Sequence, residues 1–493
     1  MKKITKYESI VNLGQLKASG YKPRSIKQEL RENLIDALKN KTVLFKNIKG
    51  YEETVIPQLE TAILSQHNIL LLGLRGQAKT KLSRMMIHLL DEYVPVIEGS
   101  ELNEDPLNPI SHAARQLLAE AGDDTPISWM SRNDRYVEKL ATPDVSVADL
   151  IGDLDPIKAA NLKLSYADER VIHYGLVPRS HRSIFVINEL PDLQARIQVA
   201  LFNILQEGDI QIRGFRVRLP IDLQFVFTAN PEDYTNRGSI VTPLKDRIGS
   251  QILTHYPKSV EISQSITKQE AQLSDDQRSS ITVPPLIEKL LEQISFEARK
   301  SEYIDQKSGV SARLTISAYE NLVSVVQRRM LLNNESSGIA RINDLYGVIP
   351  AITGKVELVY EGELEGISNV AYTLISKAIR HEFINYFPDP ERAKKSKQGN
   401  AYAEVLDWFN EGNEIDLMHS SSEKEHISQI EKIKALTTVV NNYQKNLSKA
   451  DSVLLREFML HGLAEYSQIS KRRMESTVLF SDLVGSIFNP GKE

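Results

Sequence analysis

Cysteine is absent from the 493 residues, which removes disulfides, thiolate zinc sites and cysteine nucleophiles together. No run of eighteen apolar residues occurs, so no segment is expected to span a membrane. The opening MKKITKYESIV is basic but lacks the apolar core of a signal peptide. A net charge of −5 gives no general attraction to nucleic acid, and neither a helix-turn-helix nor a basic tail is evident. The ten histidines are scattered, with no His-x-x-x-His pair flanking an acid. These absences fit a cytoplasmic protein without nucleic-acid partners. What remains is an ordinary globular composition, 41% apolar and 25% charged, at a length that accommodates two or three domains.

Residues 1–43 read as a helical N-terminal segment. Ser25 and Gln28 have the form of a capping box, with Ile26, Leu30, Leu34, Ala37 and Leu38 at helical spacing behind it. From residue 44 to 254 short apolar runs (NILLLG, SIFVINEL, LQFVFTAN) alternate with amphipathic stretches. Runs of this kind suit strands buried on both faces, so the expectation is an α/β core with a parallel sheet flanked by helices. Residues 255–355 read as an α-helical lid, and 366–493 as a further helical region. In the latter, Ser422 and Glu425 form a second capping box before an apolar stripe of Ile427, Ile430, Ile433, Leu436 and Val440.

The segment NILLLGLRGQAKTKLSRMMIHLL is the most informative. A buried strand from Ile69 to Leu72 runs into Gly73-Leu74-Arg75-Gly76-Gln77-Ala78-Lys79-Thr80, and an amphipathic helix follows. This is the layout of a phosphate-binding loop. Glycines let backbone N–H groups curl around phosphates, the lysine reaches their outer oxygens, and the threonine hydroxyl holds Mg²⁺. Ala78 stands where a glycine is usual, which is tolerable if the backbone there is near-helical.

Such a site needs a second strand that ends in acids. RSIFVINELPDL ends its apolar run in Asn188 and Glu189. Glu189 suits activation of the attacking water, whereas Asn188 accepts a hydrogen bond from a metal-bound water without bringing charge. LQFVFTANPED ends in Asn230, a candidate sensor amide for the γ-phosphate. TPLKDRI carries Arg247, a candidate arginine finger, with Arg237 and Lys245 as alternatives nearby. GVSARLTISAYENL places Arg313 at a helix start, where a sensor arginine would act from the lid. Each arginine taken alone reads more often as a surface charge.

In this order and spacing the residues resemble the AAA+ ATPases, in particular the magnesium-chelatase motor subunit and MoxR branch. FKNIKGYEETV is similar to the entry segment of that family, which would put Ile48 and Tyr51 near adenine. DLIGDLDPIKA followed by HYGLVPRSHRSIFVINELPDL resembles the stretch leading into the acidic motif, with about twenty residues, 155–174, for an inserted hairpin. QEGDIQIRGFRVRLPID alternates like a second hairpin. Residues 366–493 match nothing in that family.

The resemblance implies ATP and Mg²⁺ as cofactors, and a homo-oligomeric ring, a hexamer, with ATP at each interface. Gly73, Gly76, Gln77, Ala78, Lys79 and Thr80 would bind nucleotide, and Thr80 and Asn188 the metal. Glu189, Asn230, Arg247 and Arg313 would serve hydrolysis. It further implies a protein partner with a von Willebrand factor A domain. Two alternatives stay open: the motor of a true magnesium chelatase, and a nucleotide-gated scaffold with little turnover.

Overall fold

In a computed structural model of the chain, the described residues are 9–165, 168–212, 218–231, 239–393 and 400–483. The chain divides into two compact units, Met1–His255 and Tyr256–Glu493. The first holds a five-stranded sheet: β1 Ile69–Leu72, β2 Tyr136–Leu140, β3 Ser183–Asn188, β4 Leu223–Ala229 and β5 Ser250–Leu253. All neighbours run parallel, in the order β5-β1-β4-β3-β2.

The continuous apolar runs reflect burial on both faces, because alternate residues of each strand enter different cores. Ile69, Leu71, Ile184, Val186 and Val226 join one core with helices α1 Ile26–Lys39, α2 Val55–Leu64 and α3 Lys79–Met85. Leu70, Phe185, Ile187, Phe225 and Phe227 join the other with α4 Ala195–Glu207 and α5 Thr242–Arg247. The N-terminal segment is thereby part of the first core, through Ile26, Leu30 and Leu34. Its capping box is half formed. Ser25 Oγ accepts from Gln28 N at 3.2 Å, but the Gln28 amide donates to Glu32 at 2.9 Å instead of turning back.

The long stretch before β2 is filled by an antiparallel pair, Tyr93–Ile97 with Ile127–Ser131, and a helix His112–Ala121. Between β2 and β3, Gly152–Leu154 pairs antiparallel with Ile172–Tyr174 around a short helix Pro156–Leu162, a larger insertion than a plain hairpin. The second hairpin, Asp209–Gln211 with Arg218–Pro220, is present at its base, and its tip lies outside the described residues.

In the second unit the segments expected as lid and further helical region share one core. Leu290 of α6 Pro285–Ala298, Leu322 of α7 Arg313–Asn333, Leu374 of α8 Ile367–Tyr386 and Phe458 of α9 Lys449–Glu465 all belong to it. A three-stranded antiparallel sheet completes this unit: β6 Ile415–Met418, β7 Ser470–Arg473 and β8 Thr477–Ser481, in the order β6-β8-β7. The Ser422–Glu425 capping box forms with both reciprocal bonds. The stripe behind it is divided between helices Glu423–Ile430 and Lys434–Tyr443, with Ile433 buried at the break. Among the described residues no helix is long and apolar enough to cross a membrane.

Candidate nucleotide site

The loop after β1 is pinned from three sides. Gly73 N donates to Ala229 O at the end of β4 (3.1 Å), and Thr254 N, just past β5, donates to Leu72 O (2.9 Å). The buried Gln77 side chain accepts from Thr254 Oγ1 at 2.7 Å. Gly73 is obligatory here, because a Cβ would lie 1.9 Å from Thr254 Oγ1. Tyr51 and Ile48 are buried in the first core. The Tyr51 hydroxyl lies 2.9 Å from Gln77 O and 2.8 Å from His255 O, so it braces the loop against the segment just past β5.

Lys79 folds its ammonium back into this loop. Nζ donates to Gly73 O, to Leu74 O at 2.9 Å and to Asn230 Oδ1 at 2.7 Å. The lysine and the candidate sensor amide, 151 residues apart, therefore meet at one point. Thr80 follows in the first turn of α3, where its carbonyl accepts from Ser83 Oγ at 2.9 Å.

The backbone at Ala78 departs from the near-helical conformation expected. Its φ of 55° and ψ of 20° are left-handed, the region where a Cβ crowds the carbonyl and glycine is at home. Ala78→Gly is therefore expected to stabilise the nucleotide-free protein by about 1 kcal/mol. Denaturant titration measures this, and a neutral or destabilising result would contradict the assignment of strain. Glu189 is also left-handed, at φ 57°, and its N–H donates to Thr228 Oγ1 at 3.2 Å. Strained non-glycine residues of this kind cluster at functional sites.

From the C-terminal ends of β4 and β3 to the middle of β2, three polar side chains form a row. Thr228 Oγ1 donates to Asn188 Oδ1 at 3.0 Å, and Asn188 Nδ2 donates to Glu138 Oε1 at 2.5 Å. Glu138 Oε2 in turn accepts from Arg84 Nε of α3 at 2.9 Å. Glu138 and Thr228 escaped the linear reading. YVEKL looks like a polar edge segment, and its pairing with β3 is visible only in the sheet.

Arg247 ends α5, with Nε and Nη2 on Gln206 Oε1 (2.8 and 2.5 Å), Nη1 on Pro243 O (2.8 Å) and the guanidinium over Phe202. None of its hydrogen bonds reaches Lys79, Thr80 or Asn230. Arg237 lies outside the described residues. Arg313 belongs to the second unit, exposed at the start of α7.

No family model matches the chain. Among solved structures it is similar to NtrX of Brucella abortus, at 13% identity over 59% of this chain and 55% of that one, with a TM-score of 0.33. It is also similar to a complex of the BchI and BchD subunits of magnesium chelatase, at 19% identity, 65% and 98% coverage and a TM-score of 0.35. A RuvB variant of Thermotoga maritima gives 11%, 74% and 91%, and 0.36. The chain thus spans about half the length of NtrX and nearly all of the other two. Likeness at this level says nothing about activity, so the chemistry is read from this chain's own residues.

Proposed function

We propose that this chain is an ATP-hydrolysing motor of the AAA+ type, MoxR-like in its branch. It would work in the cytoplasm as a homo-oligomeric ring, a hexamer, that remodels or activates a protein partner with a von Willebrand factor A domain. The observation that carries this reading is the meeting of Lys79 with Asn230 inside the glycine-pinned loop (2.7 Å). A lysine drawn onto backbone carbonyls at the head of a parallel sheet is an ammonium held ready for a polyanion. Loop amides and Lys79 would bind the β- and γ-phosphates, and Asn230 would sense the terminal one. Glu189, one residue beyond β3, would accept the proton of the attacking water. Arg247 would complete the site of a neighbouring subunit, and Arg313 would act from the lid.

The side chains that would face the metal offer oxygens: the Thr80 hydroxyl, the Asn188 amide oxygen, which accepts from Thr228 Oγ1 at 3.0 Å, and the carboxylate of Glu138, which accepts from Asn188 Nδ2 at 2.5 Å. That set suits Mg²⁺, which keeps several waters and takes one or two carboxylates along with phosphate oxygens. The ion, when bound, would neutralise charge on the transferring phosphoryl group.

The test is steady-state ATP hydrolysis by the purified chain with Mg²⁺, beside Lys79→Ala and Glu189→Gln. Each variant should lose about 10²- to 10³-fold in turnover, Glu189→Gln with ATP binding retained and Lys79→Ala with binding weakened. Failure of the parent to bind ATP would sink the reading. ATP bound without turnover would favour the nucleotide-gated scaffold, for which the uncharged Asn188 is the specific support.

A further inference from the structure

Position 188 brings an amide where the metal side of such a site calls for an acid, yet a carboxylate lies in hydrogen-bond contact with it. We propose that Glu138 supplies that missing negative charge, acting from the neighbouring strand as the acidic group on the magnesium side of the nucleotide site. The inference rests on the nucleotide-binding reading above.

Three observations carry it. The first is register. β2 and β3 pair in parallel with Glu138 opposite Val186 and Leu140 opposite Asn188. Side chains alternate along a strand, so Glu138 and Asn188 share the face of Val186, which belongs to the same core as Leu82 of α3. The second is chemical complementarity. Asn188 donates to Glu138 through Nδ2 at 2.5 Å and accepts from Thr228 through Oδ1 at 3.0 Å, so its amide uses both ends. An aspartate at 188 could not donate, and would set two carboxylates against each other at that distance. The amide at 188 and the acid at 138 fit as a pair.

The third is the link to the loop helix. Tyr136, two residues before Glu138 on the same strand face, has its hydroxyl 3.2 Å from Ser83 Oγ, which donates to Thr80 O at 2.9 Å. Arg84, one turn beyond Thr80, holds Glu138 Oε2 at 2.9 Å. Glu138 is thereby bound to the helix whose first turn carries Thr80, the candidate metal ligand. It is also the only carboxylate with a hydrogen bond to Asn188 among the described residues.

Binding of a fluorescent ADP analogue to the full-length protein, titrated with Mg²⁺ and repeated in EDTA, tests this. Glu138→Gln should raise the Mg²⁺ concentration for half-maximal tightening about 10- to 100-fold without weakening affinity in EDTA, where loss of a carboxylate near the phosphates favours the polyanion. Asn188→Asp in the Glu138→Gln background reverses the bond and returns the acid to 188, so it should bring the midpoint back toward the parent. Asn188→Asp alone should bring no gain. Arg84→Met should leave the midpoint where it is or lower it, since it frees the carboxylate from a competing cation. An unchanged midpoint in Glu138→Gln would overturn the proposal, as would an Arg84→Met effect matching that of Glu138→Gln, which would make the acid a mere partner for the arginine. Thermal melting of each variant separates loss of fold from loss of metal response, and the double variant carries the test if Glu138→Gln is destabilised. If the parent binds no nucleotide, the functional reading itself falls. If the parent binds with Mg²⁺ dependence and Glu138→Gln behaves like it, only the role of Glu138 falls.

Discussion

Arg247→Ala is expected to lower ATP turnover by about 10³- to 10⁵-fold, the scale associated with an arginine that stabilises charge on a transferring phosphoryl group. Nucleotide affinity should change little, because within its own subunit the guanidinium is held by Gln206, Pro243 and Phe202, with no hydrogen bond to Lys79 or Asn230. If it acts in a neighbouring subunit, an inactive Arg247→Ala protein mixed with inactive Lys79→Ala should regain activity, since some interfaces would then combine an intact loop with an intact arginine. Arg247→Lys should not rescue, for an ammonium lacks the planar fork of donors. Turnover within twofold of the parent in Arg247→Ala would remove the residue from the mechanism. A large loss without complementation on mixing would place its action inside its own subunit.

The largest effect on stability is expected at the N-terminal end of the sheet, away from the site. Glu29 of α1 and Arg135, the residue before β2, form a bidentate ion pair at 2.8 and 2.6 Å, with 3% and 1% of their surfaces exposed. Arg135 Nε also donates to Arg182 O (2.9 Å), and Glu29 Oε1 accepts from Asp91 N (2.7 Å). Alongside, Asp222 accepts from Ile26 N at 2.6 Å at the first turn of α1. His181, held neutral by burial and by Arg182 with its pKa lowered to about 3, accepts from Asp222 N.

Glu29→Ala would leave a guanidinium buried without its counter-charge, at a cost of about 3–5 kcal/mol. In a unit of this size that corresponds to a melting temperature lower by roughly 6 to 20 °C. The double replacement Glu29→Leu with Arg135→Met should recover most of the loss, because two matched apolar groups need no counter-charge. Calorimetry of the three variants checks both statements. An unchanged melting temperature in Glu29→Ala would mean that water or rearrangement solvates Arg135 at little cost.

These two predictions differ in how they could be foreseen. Arg247 is a candidate in TPLKDRI because its proposed meaning rests on order along the chain, after loop, acidic strand and sensor strand. Gly73, Lys79, Thr80 and Asn188–Glu189 are candidates for the same reason, and the strand, tight turn and helix around the first three were legible because that pattern is written in consecutive residues. The buried runs also announced their strands, because residues covered on both faces must all be apolar.

Glu29 and Arg135 carried no such signal. A glutamate on an amphipathic helix and an arginine in a polar stretch each read as surface charges until the fold brings residues 106 positions apart into contact. The small sheet of the second unit was hidden likewise, because SKRR is short and charged, and IDLM gains its pairing from residues 477–480, far along the chain. The left-handed backbone at Ala78 could not be read from an alanine, whose own preference is helical; the pinned loop on either side imposes it. Most telling is the row Thr228, Asn188, Glu138. Read along the chain, Asn188 is a lost acid. In the sheet it is the middle of a hydrogen-bonded line whose end is a carboxylate, because strand register, and not spacing in sequence, decides which side chains stand next to one another.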